Sequence, residues 1–265
     1  MSIVVQKYGG SSVADADKIK NVARRAVEAQ EKGNQVVVVL SAMGKTTDNL
    51  IKLAQQVTDE PDERELDFLL STGEIVSCTL LAMALKAMGA KAISLSGAQA
   101  GIKTDAVHSR ASILGIDPRR VTKELNRDKI VIVAGFQGIT DKMDITTLGR
   151  GGSDTTAVAL AISLKAARCE IYTDVDGVYT ADPRLVPEAR KLDEIGYEEM
   201  LELASLGSKV MHSRAVELGE LYKMPILVAS SFSGNPGTLI RGGVSMEARN
   251  KVRGIAHDLN VAKVT

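Results

Sequence analysis

Tryptophan is absent from this 265-residue chain and aromatic residues make up only 3% of it, so any core must be aliphatic. Cysteine is nearly absent too: Cys78 and Cys169 both lie in apolar runs. Two such residues make no disulfide framework and no zinc–thiolate spacing, and they read as buried free thiols in a reducing, cytoplasmic setting. Charge of one sign is also missing, with 33 Lys and Arg against 33 Asp and Glu. That balance argues against a nucleic-acid partner, which needs an excess of cations, and leaves room for a local basic pocket. Polar Gln6 and Lys7 cut the N-terminal apolar run short, so no signal peptide is expected. No apolar stretch approaches the roughly 18 residues that suggest a membrane span. Familiar motifs are lacking as well. There is no Gly-x-x-x-x-Gly-Lys-Ser/Thr loop, no Gly-x-Gly-x-x-Gly after the first strand and no serine-hydrolase elbow. His108, His212 and His257 stand in unrelated contexts.

What is present is alternation. Ile3–Val5, Gln35–Leu40, Lys129–Ala134 and Cys169–Thr173 are short, β-branched and continuous, the pattern of strands buried on both faces. Lys91–Leu95 and Pro225–Ala229 read as further strands, and Gly237–Arg241 as an edge strand. Helices are expected over Asp15–Lys32, after Asp48, over Leu66–Met88 with a break at Thr72-Gly73-Glu74, and over Asp117–Asn126 with Asp117 as cap. Further helices are expected from Ser153 or Asp154 to Ala167, over Tyr197–Ala204 and up to Tyr222. Gly97–Ile116 reads as an irregular polar excursion in which Thr104, Asp105 and His108 could form a flap. The class is therefore α/β, a mostly parallel sheet covered on both faces.

Chemistry gathers in the loops after the strands, where open parallel sheets bind ligands. Leu148-Gly149-Arg150-Gly151-Gly152-Ser153-Asp154 combines three glycines, a cation and an acid just before an apolar helix. The stretch supports two readings: an anion site at a helix start, or a polar turn with an Asp cap. Glu74 is out of place in so apolar a segment; either it faces solvent or it sits in a pocket and holds a cation. Asp174-Val175-Asp176-Gly177 faintly resembles a calcium loop, but the closing bidentate Glu is missing and a strand precedes it. Asp182 before Pro183 reads as a turn residue, Lys45 as a solvated charge, and His212 as a packed helix-start histidine. Lys7, Lys45, Arg150 and Lys209 among Gly-rich loops suit phosphoryl transfer, which needs cations and N–H groups around a charged group.

Lys7-Tyr8-Gly9-Gly10-Ser11-Ser12-Val13 closely resembles the Lys-Phe-Gly-Gly-Thr/Ser-Ser signature of the aspartate kinases. Val39–Asp48, Gly73-Glu74, Gly135–Gly138, Thr147–Thr156, Thr173–Arg184, Gly207–His212 and Ser231–Ile240 follow in that family's order. Ser213 stands where the family usually has Pro, and the chain stops where the family's regulatory ACT domains begin.

The resemblance implies a three-layer αβα sandwich, the amino-acid-kinase fold. It implies ATP-dependent phosphorylation of L-aspartate to 4-phospho-L-aspartate, the first step of lysine, threonine and methionine biosynthesis. Lys7 and Lys209 would stabilise the transferring γ-phosphoryl group, with Asp154 orienting them; Arg150 would hold the aspartate carboxylate and Glu74 the ammonium. Ser41, Thr47, Phe136 and Ser153 would line the same pocket. Gly9, Gly10, Ser11, Gly207 and Ser208 would approach the phosphates, and Thr173, Asp174, Tyr179 and Arg184 would form the nucleotide wall. Mg²⁺ would be held mainly by phosphate oxygens and water, with no protein cage. Residues 1–245 would be the catalytic unit, with an amino-acid lobe and, from about residue 150, a nucleotide lobe; 246–265 would be a linker and the truncated entry to an ACT domain. A homo-oligomer, alone or with an ACT-containing chain or segment, is part of the same expectation. The rival readings are a kinase of the same superfamily acting on glutamate, acetylglutamate, a carbamate or UMP, and a catalytically silent nucleotide or amino-acid sensor.

Overall fold

The computed structural model describes residues 1–206, 210–243 and 254–256. Strands β1 (Ile3–Tyr8) and β2 (Gln35–Leu40) flank helix α1 (Ala16–Glu31), which Asp15 caps by accepting from the Lys18 N–H. Helices α2 (Thr46–Val57) and α3 (Glu63–Ala87) lead to β3 (Ala92–Leu95), β4 (Ile102–Thr104) and β5 (Ile113–Ile116). Helix α4 (Arg119–Leu125), strands β6 (Ile130–Ala134), β7 (Gln137–Ile139) and β8 (Ile145–Thr147), and helix α5 (Gly152–Ser163) follow. The remainder is β9 (Arg168–Thr173), β10 (Glu194–Ile195), α6 (Tyr197–Ser205), α7 (Ser213–Leu221), β11 (Ile226–Ser230) and β12 (Thr238–Ile240).

Eight strands form one sheet in the order β10-β12-β11-β9-β1-β2-β6-β3, parallel except where β12 runs against β11. Alternation along the buried strands assigns the layers. Val37, Val39, Val131 and Val133 point to the face covered by α4, α5, α6 and α7. Val36, Val38, Ile130 and Ile132 point to the face covered by α1 and α3. The observed architecture is the expected αβα sandwich.

Two expectations are corrected. Helix α3 runs unbroken from Glu63 to Ala87, through Gly73 and Glu74. A single helical glycine weakens a helix by only about 1 kcal/mol, and here the missing side chain serves packing: a Cβ on Gly73 would stand 2.8 Å from the Ala42 Cβ. Second, the excursion before α4 is partly ordered strand. β4 and β5 join β7 and β8 in a second, four-stranded sheet of order β5-β4-β7-β8, in strands too short for periodicity to reveal. In smaller adjustments, α5 opens at Gly152, and α4 begins after Pro118 with Asp117 accepting from the Arg119 N–H. Contrary to the expectation that no apolar stretch reaches span length, α3 could cross a membrane by length and composition, yet half of its apolar window is packed inside the protein, as in a core helix. The segment 246–265, read as a linker and the entry to an ACT domain, lies outside the described residues except for 254–256.

The register fixes the height of the loops. Tyr8 pairs with both Leu40 and Tyr172, and Leu40 with Ala134, so the loops beginning at Gly9, Ser41 and Gly135 leave the sheet at one level, beside Thr173 at the end of β9. β1 hands the chain to β2 through α1 on one face, whereas β9 hands it to β11 through α6 and α7 on the other. The crevice between β1 and β9 is thus a topological switch point.

Gly73→Ala tests the packing against the Ala42 loop. Although alanine favours the helix by about 1 kcal/mol, urea unfolding is expected to show a lower midpoint; a higher midpoint would show that the Ala42 loop gives way freely.

Candidate active site

Lys7 shares a strand face with Val5, which packs toward α5. Its Nζ lies 2.7 Å from Asp154 Oδ1, with both side chains 12% exposed. The contact is at ion-pair distance but off the hydrogen-bonding angle, and Oδ1 has no aligned donor. Asp154 sits in the first turn of α5, where the unpaired N–H groups and the helix dipole favour negative charge. The αL conformation of Gly149 (φ 73°) and Gly151 (φ 68°) turns the chain sharply into this helix. Gly151 also has no room for a side chain, because a Cβ would lie 2.2 Å from the His212 ring. This packing bears out the reading of His212 as a packed helix-start residue.

The neighbouring loops close around the pair. Gly44 N–H donates to Gly10 O, so the loops after β1 and β2 are stitched together. Ser41 follows β2 directly, and its carbonyl accepts from the Ser77 hydroxyl of α3. A Cβ on Gly135 would stand 2.8 Å from Ser153 Oγ, which places Ser153 against the end of β6. Phe136 is held at φ 68°, a strained conformation for an aromatic residue. Its N–H donates to Thr156 Oγ1 and its carbonyl accepts from Leu148 N–H. Thr47 lies in the first turn of α2.

Glu74 resolves in favour of the interior. It is 2% exposed, and its Oε1 accepts from the Ala42 N–H at 3.1 Å while Oε2 has no partner. Burial pushes the carboxyl up to about 8. Oε2 is thus a buried acceptor left without a donor, next to the loop after β2.

Arg150 is exposed in the turn before α5, and it forms no ion pair among the described residues. On the β9 side, Thr173 Oγ1 donates to exposed Asp174, and Gly9 N–H reaches Tyr172 O at 3.4 Å. Tyr179 bridges to Lys191, while Arg184 is paired with Asp182 at 2.7 Å and faces solvent. Ser11 is exposed in the 3-10 turn Gly10–Val13. Gly207, Ser208 and Lys209 lie outside the described residues. Among the described residues no cluster of three or more His, Cys, Asp or Glu is placed to hold a metal ion. The structure therefore brings together Lys7, Gly10, Ser41, Glu74, Phe136, Ser153 and Asp154. Asp67 was missed by the sequence reading, although it lies on the buried face of α3 that also carries Glu74. The available signal was an acid two turns before another acid in an apolar helix.

A model of the Amino acid kinase family matches residues 2–230. The aspartokinase of Geobacillus stearothermophilus is 57% identical over all of this chain and 65% of its own length. Aspartokinase 2 of Bacillus subtilis is 55% identical with the same coverage. The chain thus spans about 65% of the length of these curated relatives. Among solved structures, aspartate kinase from Synechocystis superposes with a TM-score of 0.83 at 51% identity, over 92% of this chain and 40% of that one. E. coli aspartokinase III in complex with aspartate and ADP gives a TM-score of 0.83 at 30% identity, over 92% of this chain and 65% of its own.

Glu74 yields a pH prediction. Its ordinary value is 4.5 and its folded value about 8, so between these the unfolded chain has lost a proton that the folded chain keeps. The Glu74 contribution to stability therefore falls as pH rises through that window. Glu74→Gln removes the titration. The ligand-free variant is expected to match the parent's thermal midpoint near pH 4 and to exceed it increasingly up to pH 8; a gap that stays constant with pH would overturn the assignment.

Proposed function

Since the chain belongs to the amino acid kinase family, we propose that it carries the catalytic part of an ATP-dependent kinase that phosphorylates the side-chain carboxylate of L-aspartate. The observation that carries this reading is the Lys7–Asp154 pair at the crevice where the strand-end loops meet. The relatives' names and the aspartate and ADP held by the E. coli structure support the choice of acceptor and donor.

In this reading an aspartate β-carboxylate oxygen attacks the γ-phosphorus of ATP, the bond from that phosphorus to the bridging oxygen breaks, and ADP leaves. The acceptor is already ionised at neutral pH, so no general base is required. Lys7 turns its ammonium from Asp154 toward the equatorial oxygens of the moving group; a compact charge on a flexible stem suits that task. Lys209 is assigned the same role. Arg150 is free to take the acceptor's α-carboxylate as a bidentate fork, and Glu74 Oε2 receives its ammonium. Thr47, Ser41, Phe136 and Ser153 shape the acceptor pocket. Gly9, Gly10, Ser11, Gly207 and Ser208 let backbone N–H groups approach the phosphates, and Thr173, Asp174, Tyr179 and Arg184 wall the nucleotide. Arg184 would exchange Asp182 for a phosphate on binding.

The donor set fits Mg²⁺ that arrives with the nucleotide, because the described residues offer isolated carboxylates such as Asp174 and no cage. When bound, it would neutralise charge on the β- and γ-phosphates. The amino-acid lobe up to about residue 150, the nucleotide lobe beyond it, a cytoplasmic setting and assembly with further copies or an ACT-containing segment belong to the same proposal.

Coupled detection of ADP is expected to show turnover with L-aspartate and none with L-glutamate, N-acetylglutamate or UMP. Lys7→Ala is expected to lower kcat by about 10²–10³, the scale of losing one preorganised charge-stabilising group. Absence of turnover with L-aspartate would sink the substrate assignment, and an unchanged kcat in the variant would sink the role of Lys7.

A further inference from the structure

Asp67 is fully buried on α3, in a segment otherwise filled by residues such as Leu70 and Leu81. A carboxylate there is expensive unless donors surround it, and they do. Ser109 N–H reaches both of its oxygens, at 3.1 and 3.0 Å, and His108 Nδ1 lies 3.0 Å from Oδ2. Thr147 donates twice, from its N–H at 2.9 Å and its hydroxyl at 2.5 Å. These donors come from two segments remote from α3 in sequence: the 105–112 loop and the end of β8. The two are tied to each other by Ala111 N–H donating to Thr147 O at 2.9 Å.

Both segments border Gly149. β8 ends at Thr147, two residues before it, and Ser109 O would stand 3.1 Å from a Cβ placed there. Arg214 of α7 grips the same two segments from the opposite side, donating to Leu148 O at 2.8 Å and to Ala111 O at 3.2 Å. The chain then passes through left-handed Gly149 and Gly151 with exposed Arg150 between them. Two such glycines give this turn wide backbone freedom. Ordering it only on substrate binding would subtract conformational entropy from the affinity.

We propose that Asp67 and Arg214 are positioning residues that bracket the Gly149 pivot and present Arg150 to the acceptor carboxylate. Neither touches the reacting atoms; both act through the loop. The assignment of Arg150 to the acceptor rests on the function proposed above, whereas the bracketing of the pivot does not.

The test uses Asp67→Asn, Arg214→Ala and Arg214→Lys in the full 265-residue chain. Asp67→Asn keeps the shape but turns one acceptor oxygen into a donor that faces N–H groups. Two readouts are taken: steady-state kinetics, and amide exchange of residues 149–152 in the ligand-free protein beside the global thermal midpoint. In Asp67→Asn and Arg214→Ala, exchange at 149–152 is expected to accelerate beyond what the loss of global stability explains. KM for L-aspartate is expected to rise about tenfold or more, since small misplacements of a positioning group reach that scale, with KM for ATP and kcat unchanged. Arg214→Lys, which keeps one donor, is expected to fall between the parent and Arg214→Ala. A parallel rise of both KM values, or unchanged exchange at 149–152, overturns the proposal. Should Asp67→Asn not fold, the two Arg214 variants decide by the same readouts. Should the parent fail to turn over L-aspartate, the substrate reading falls, and the exchange measurement alone decides the bracket.

Discussion

The contact between Lys7 and Asp154, at 2.7 Å, depends on nearly every long-range feature of the fold. It needs β1 and α5, which stand far apart in sequence, to meet with the strand's charged residue facing the helix's first turn. Alternation along β1 turns Lys7 to the α5 face, and the left-handed Gly151 starts the helix at the height of the strand ends. With little water around them, two isolated charges would each be unfavourable, and pairing offsets that cost. Because the contact is not aligned as a hydrogen bond, no directional bond holds the ammonium in this one orientation. A pair of this kind is a weak source of stability and a good store of a mobile positive charge.

Helix α3 supplies the other side of the site. Two carboxyl groups on its buried face, Asp67 and Glu74, are treated oppositely. Asp67 has donors on both oxygens, whereas Glu74 has one donor and one empty oxygen. The saturated carboxylate ties segments together, and the unsaturated one is left wanting a partner. Gly73, beside Glu74, lets the loop after β2 lie directly on the helix, so Glu74 meets that loop at the Ala42 N–H.

Much of this was legible in the sequence for identifiable reasons. Val36–Leu40 and Ile130–Ala134 are continuous because both sheet faces are covered, and that pattern is unambiguous. Gly9, Gly10 and Gly149–Gly152 mark loops where backbones approach closely, and the structure gives each neighbours that a Cβ would meet. The unbroken run of α3 was not legible, because a glycine conserves the helix or ends it according to what lies across from it in space. β4, β5, β7 and β8 are too short to show a period, and their pairing is non-local. Arg214 escaped notice because its hydrogen bonds run to the backbone carbonyls of Leu148 and Ala111, which carry no side-chain signal in the sequence.

The charge balance of the proposed acceptor pocket follows from Glu74. With its carboxyl up at about 8, the free chain holds this group mostly neutral at pH 7, so the buried loop carries no uncompensated charge. In the proposed role, an ammonium at Oε2 favours the ionised form and draws the carboxyl down. Binding then releases a proton and creates an ion pair only when the partner is present. Arg150 needs no such arrangement, because it waits in solvent, where an unpaired guanidinium is well hydrated. An acceptor lacking the ammonium would leave Glu74 protonated and Oε2 unpaired, and one lacking the carboxylate would leave Arg150 in water. In the proposed role, discrimination would arise at two ends of one small molecule, by desolvation at Glu74 and by geometry at Arg150.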